Sequence, residues 1–109
     1  MSKTLDVLKA LKDAEGIDFA YDHFAEGESP PPPLVVYLYP ETHNFSADGL
    51  VYFPVNVVSI ELYTAKKDPE TEKKLECFLT GAGIFFEKSE EWIASEHLYE
   101  VIYRFEEEG

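Results

Sequence analysis

Hydrophobic positions in the opening segment recur at helical spacing. Thr4, Val7, Leu8, Leu11 and Ala14 fall on one stripe, with Asp6, Lys9, Lys12 and Asp13 opposite. That pattern predicts an amphipathic helix, with Gly16 as its stop. The period then drops to two: Ile17, Phe19 and Tyr21 alternate with Asp18, Ala20 and Asp22, as in a strand with one buried face. EGESPPPP (26–33) breaks the pattern. Its four prolines cannot join a central ladder and favour an extended polyproline form, so it reads as a stiff connector.

Two longer strand-like runs follow. LVVYLY (34–39) has two apolar faces, Leu34, Val36 and Leu38 on one and Val35, Tyr37 and Tyr39 on the other. NVVSIELYT (56–64) sets Val58, Ile60 and Leu62 against Val57, Ser59, Glu61 and Tyr63. Asp68-Pro69-Glu70 is a strong helix start, Asp as cap and Pro at the first helical position. Thr71, Leu75, Phe78, Leu79 and Ala82 form the stripe of that helix, Glu70 stands four residues before Lys74, and Gly81 or Gly83 ends it. IFFEKSEEWI (84–93) and HLYEVIYRFE (97–106) close the chain as strands, with Tyr99, Val101, Tyr103 and Phe105 on one face of the last. The order α-β-β-β-α-β-β implies one α+β domain over 1–109: two helices on one face of a mainly antiparallel sheet of about five strands.

Two helices cover one side of such a sheet. The Leu/Val/Ile faces are the natural packing side, which leaves Val35, Tyr37, Tyr39, Val57 and Tyr63 as candidates for the uncovered one. Aromatic residues on an open face suit a protein interface as well as a solvated surface.

Between the second and third strands lies PETHNFSADGLVYFP (40–54), a proline at each end, Asp48-Gly49 within, and Phe45, Leu50, Val51, Tyr52 and Phe53 packed between them. Asp-Gly signals a hairpin tip. Prolines lack the N–H that a ladder uses, so the sheet should loosen at Pro40 and Pro54. The segment should project as a β-arm, with Phe45, Leu50, Tyr52 and Phe53 as contacts to another subunit. The alternative is a lid folded back over the sheet.

At 109 residues with 22 acidic and 9 basic side chains, the net charge is −13. A polyanion repels such a surface, which argues against direct nucleic-acid binding. No apolar run approaches the roughly 20 residues of a bilayer span, and the first residues carry no apolar signal core, so a cytoplasmic origin is expected. Cys77, alone of its kind, cannot form an internal disulfide; it falls opposite the helix stripe and should be accessible. Asp22-His23, Glu41-x-His43 and Glu96-His97 each set an imidazole beside a carboxylate, but none has the spacing of a metal motif. No nucleotide loop or nucleophile elbow occurs, and GAG (81–83) is a helix stop. No catalytic, cofactor or metal residue is singled out, and the expectation is a non-enzyme without a cofactor. The acidic tail FEEEG reads as a solvated strand end; an acidic DNA-mimic inhibitor is the alternative it raises.

The whole layout, with AYDHFAEGESPPPPLVVYLYP, NFSADGLVYFPVNVVSIELYTAKKDPETEKKLE and FFEKSEEWIASEHLYEVIYRF, resembles the small tail terminator (tail completion) proteins of long-tailed bacteriophages and prophages of Gram-positive hosts. The resemblance spans nearly the whole chain and rests on cadence and order. It implies a structural virion protein of the tail or neck, assembled in the host cytoplasm. It also implies a hexameric ring of identical subunits that caps the tail tube and meets the head connector. The expected partners are then further copies of the chain, the tail tube protein and the head-closure protein. DNA would only pass through the lumen, and no membrane is involved. Head-closure and adaptor proteins, other rings of the neck, are the neighbouring possibilities. The contact residues expected are Phe45, Leu50, Tyr52, Phe53, Tyr37, Tyr39 and Tyr63.

Overall fold

The computed structural model describes residues 3–25, 27–42, 45–47, 51–53 and 55–108, with the side chains of 45–47, 51–53 and 108 excluded. Two helices, α1 (Lys3–Glu15) and α2 (Pro69–Gly81), accompany seven strands. These are β1 (Asp18–Tyr21), β2 (Leu34–Thr42), β3 (Phe45–Ala47), β4 (Val51–Phe53), β5 (Val55–Thr64), β6 (Glu87–Ile93) and β7 (Leu98–Glu108). Five of them form one sheet in the order β1-β2-β5-β7-β6; β3 and β4 pair with each other in a separate two-stranded sheet. Within the main sheet, β1 runs parallel to β2 and the other pairings are antiparallel. The α+β architecture with helices on one face is as the pattern implies.

Register decides which residues meet the helices. Val35 pairs with Leu62 and Tyr37 with Ile60; Val58, Ile60 and Leu62 in turn pair with Phe105, Tyr103 and Val101. These side chains pack with Val7, Leu8 and Leu11 of α1 and Leu75 and Leu79 of α2 in one core, with Phe19, Tyr37 and Tyr39 against it. The expectation that Tyr37 and Tyr39 share the uncovered face with Tyr63 is therefore wrong. Both faces of β2 are apolar, so its own sequence cannot say which turns inward. Pairing with β5 puts the tyrosine face under the helices and Leu34, Val36 and Leu38 on the open side.

Local signals end the helices as expected. Asp68 accepts from the Thr71 N–H (3.2 Å) and the Thr71 hydroxyl (2.7 Å), with Pro69 first in α2. Gly16 follows α1 with φ 70°, a left-handed conformation that glycine adopts without a Cβ clash. Ala14, placed on the buried stripe of α1 by spacing, is exposed. Lys74 binds Glu15 of α1 at 2.9 Å, a cross-helix pair in place of the expected pairing with Glu70. At the other end, Glu107 of β7 accepts from the Thr4 N–H at 2.9 Å and the Thr4 hydroxyl at 3.1 Å. The acidic tail, expected to be merely solvated, thus supplies a carboxylate to the first turn of α1, where backbone N–H groups lack partners.

At Pro40 the β2–β5 register slips by one residue, between Leu38 and Glu41. A proline has no N–H for the ladder, and the bulge absorbs it. Beyond it β3 and β4 form a separate antiparallel hairpin, with Phe45 opposite Phe53 and Tyr52 opposite Ser46. Leu50, the Asp48-Gly49 tip and Pro54 lie outside the described residues. The long axis measures 49 Å against 28 and 24 Å, and the radius of gyration is 15.0 Å. A compact chain of this length would have about 13 Å. The difference fits an arm that leaves the sheet.

Candidate interface surfaces

Among the described residues, three surfaces bring polar or aromatic side chains into contact with one another. The first lies on the helix side, between α2 and the β6–β7 pair. Lys67 reaches Glu72 at 2.9 Å and Glu90 at 2.5 Å; Lys88 reaches Glu72 at 2.9 Å and Glu76 at 2.7 Å. Tyr103 donates to Glu76 (2.8 Å) and Tyr99 to Glu90 (2.5 Å), while the two ammonium groups sit over the Tyr99 and Tyr103 rings. Glu72 is 2% exposed. Its Oε2 makes an ionic contact with Lys67 rather than an aligned hydrogen bond. The carboxylates respond as paired acids do. Lys67 and then Tyr99 hold Glu90 below the usual carboxylate range. Glu76 is also held low: burial would raise it, but Lys88 and Tyr103 outweigh that.

Glu72 was not legible as buried from its charge, yet its position is. It stands three residues before Leu75 and seven before Leu79, on the buried stripe of α2. Lys67, in the segment before α2, and Lys88, in β6, make that position tolerable. The arrangement fastens α2 to the β6–β7 pair.

The second surface is aromatic. Tyr21, Tyr37 and Tyr39 pack edge to face or tilted with centroids 5.2 to 6.1 Å apart, and Phe19 stands 6.1 Å from Tyr37. The Tyr21 hydroxyl meets the Tyr39 N–H at 3.3 Å. Tyr21 is 49% exposed at the sheet edge, and the other rings are half-buried. Of the expected contact residues, Tyr37 and Tyr39 belong here. Tyr63 does not.

The third surface is the open face of the sheet. Tyr63 lies there opposite Glu100 in the β5–β7 register, with Glu61 two residues back opposite Ile102. Its hydroxyl lies 2.6 Å from Glu100 Oε2 and 2.9 Å from Glu61 Oε1. Burial pushes the Tyr63 hydroxyl well above its ordinary range, and the two carboxylates add to it. Glu61 is raised by burial, with Glu100 and Asp22 contributing like charge against the lowering effect of Tyr63. Glu61 and Tyr63 are recognisable in the sequence as same-face neighbours; Glu100 joins them only through the register.

No group of three or more metal-ligating side chains converges among the described residues. His23 is exposed and pairs with Asp22 at 3.0 Å, His97 is exposed at a left-handed turn, and His43 lies outside the described residues. Cys77 is exposed, as its helix position implies. No described helix is long and apolar enough to cross a membrane.

No family model matches the chain, and no curated protein matches it in sequence. Solved structures do. A chain from the virion of a native gene transfer agent particle aligns with a TM-score of 0.67 over 96% of this chain and 91% of that one, at 16% identity. The two share a fold. At that identity the likeness reaches the architecture, nearly end to end, and no individual side chain.

Proposed function

We propose that the chain is a structural protein of a phage-like virion. In this reading six copies close into a ring that caps the tail tube and joins it to the head connector. The observation that carries the reading is the end-to-end fold shared with a chain of a gene transfer agent virion. Two features support it. The β3–β4 hairpin stands apart from the main sheet; an isolated two-stranded hairpin is marginal in water, and a neighbouring subunit is a natural support. An arm that engages a different surface on the next copy is a heterologous contact, the kind that closes into rings. The charge of −13 also suits a ring through which DNA slides without adhering. A DNA mimic would instead need its carboxylates free, whereas Glu15, Glu72, Glu76 and Glu107 are engaged within the chain.

The test is decoration of purified tail tubes, viewed by electron microscopy. A terminator binds one end only, and binding along the whole length contradicts the reading. Replacing Phe45, Tyr52 and Phe53 with Ser should leave the monomer folded and abolish end binding. A large fall in melting temperature, with binding intact in the folded fraction, would show that the hairpin belongs to the core.

A further inference from the structure

The open face of the sheet carries buried negative charge that the chain does not neutralise. Glu100 is only 8% exposed, and Glu61 is half-buried beside it. The Tyr63 hydroxyl approaches both, at 2.6 and 2.9 Å, but it has one proton and can donate to one carboxylate at a time. Among the described residues, no lysine or arginine forms an ion pair with either acid. Arg104, on the same face, reaches Glu41 at 3.7 Å, and His23 is held by Asp22. Asp22 adds like charge to Glu61.

Apolar surface adjoins the pair. Val36 stands opposite Glu61 on β2, and Ile102 opposite it on β7. Beside Tyr63 is a hollow of about 290 Å³ lined by Phe24, Leu34, Val36 and Leu98, with Asp22 at its wall. Long cationic side chains fit such a surface, laying methylenes on apolar walls and a charged head on carboxylates. A carboxylate buried without a counter-charge is costly, and a cation from outside would remove the cost.

A second copy is a poor source of that cation. With 22 acidic residues against 9 basic, another copy brings mostly like charge. Five of the nine basic side chains, Lys12, Lys67, Lys74, Lys88 and Arg104, are already ion-paired. We propose that the open face, centred on Glu61, Tyr63 and Glu100, is a docking surface for a basic partner protein. A lysine or arginine of that partner lays its methylenes along Val36 and Ile102, next to the hollow beside Tyr63, and turns its charged head to the two carboxylates. This goes beyond the ring reading and does not depend on it.

The test is an NMR titration of the isolated protein with the blocked tripeptide leucyl-arginyl-leucine amide, and with its neutral citrulline analogue. The arginine peptide should shift the amides of Val36, Glu61, Tyr63, Glu100 and Ile102, and the citrulline peptide should not. The shifts should be lost in Glu61→Gln/Glu100→Gln, whose spectrum otherwise matches the native one. If the double variant is unstable, Glu61→Gln alone, at a half-exposed position, should weaken them. Equal shifts with citrulline, shifts centred on the exposed Glu87 and Glu91 of β6, or no shifts at all would overturn the proposal.

Discussion

The two faces of the sheet treat buried carboxylates in opposite ways. Under α2, Glu72 is almost wholly buried, and two ammonium groups and two tyrosine hydroxyls complete the network around it and its neighbours. On the open face, Glu100 is nearly as buried and shares a single hydroxyl with Glu61. The difference separates charge that holds a fold together from charge left for something else. A network that closes on itself positions a helix. The Glu61–Glu100 pair shares one hydroxyl across β5 and β7 and has no cation of its own among the described residues, which is why we read that surface as a place for a partner.

The strongest way to break the comparison is to strip the cations from the closed network. Lys67→Met/Lys88→Met leaves Glu72 buried without a counter-charge, and breaking such a pair costs about 3–5 kcal/mol. Chemical denaturation should register a loss of that order. A smaller effect is expected at the cap of the same helix. Asp68→Ala removes the acceptor for Thr71 and should cost about 1 kcal/mol, because N-cap side chains contribute about that much. On the open face the sign reverses. Glu61→Gln/Glu100→Gln should leave stability unchanged or raise it, by less than about 1 kcal/mol, as expected for a modest charge interaction near a surface. A marked loss there would mean that the pair is structural after all.

Acid sharpens the same contrast. Asp68 is held low by the Thr71 hydroxyl and then its N–H, and Glu76 and Glu90 are low as well. Stability from groups with lowered pKa is present above the unfolded carboxylate range and is lost as pH falls through their folded values. Glu61 is raised, chiefly by burial. Its folded form holds the proton more tightly than the unfolded one, so its contribution favours folding at low pH and fades as pH rises through its folded value. Any stability advantage of the Gln pair should therefore shrink as pH falls from neutral into the carboxylate range, measured by melting both proteins across that interval.

Much of this was legible in the sequence, for identifiable reasons. The element order, the cap at Asp68, the stop at Gly16, the loosening at Pro40 and the separate hairpin all follow from local rules of period, capping and missing donors. The inward face of β2 did not, because its two faces are equally apolar and only register with β5 chooses between them. Neither carboxylate cluster could be read in full from neighbours in sequence. Glu72 finds its cations in the segment before α2 and in β6, and Tyr63 finds Glu100 across the ladder. Three of the residues expected at a contact, Phe45, Tyr52 and Phe53, lie in the hairpin, while Tyr37 and Tyr39 turn out to pack against the core on the helix side of the sheet.

The central proposal, that this is a virion protein seated where tail meets head, is tested most directly by locating the chain in finished particles. Gold-labelled antibody against it should mark one position per particle, at the junction of head and tail, in electron micrographs of purified virions. Label spread along the tail, or particles that carry none of the chain, would contradict it.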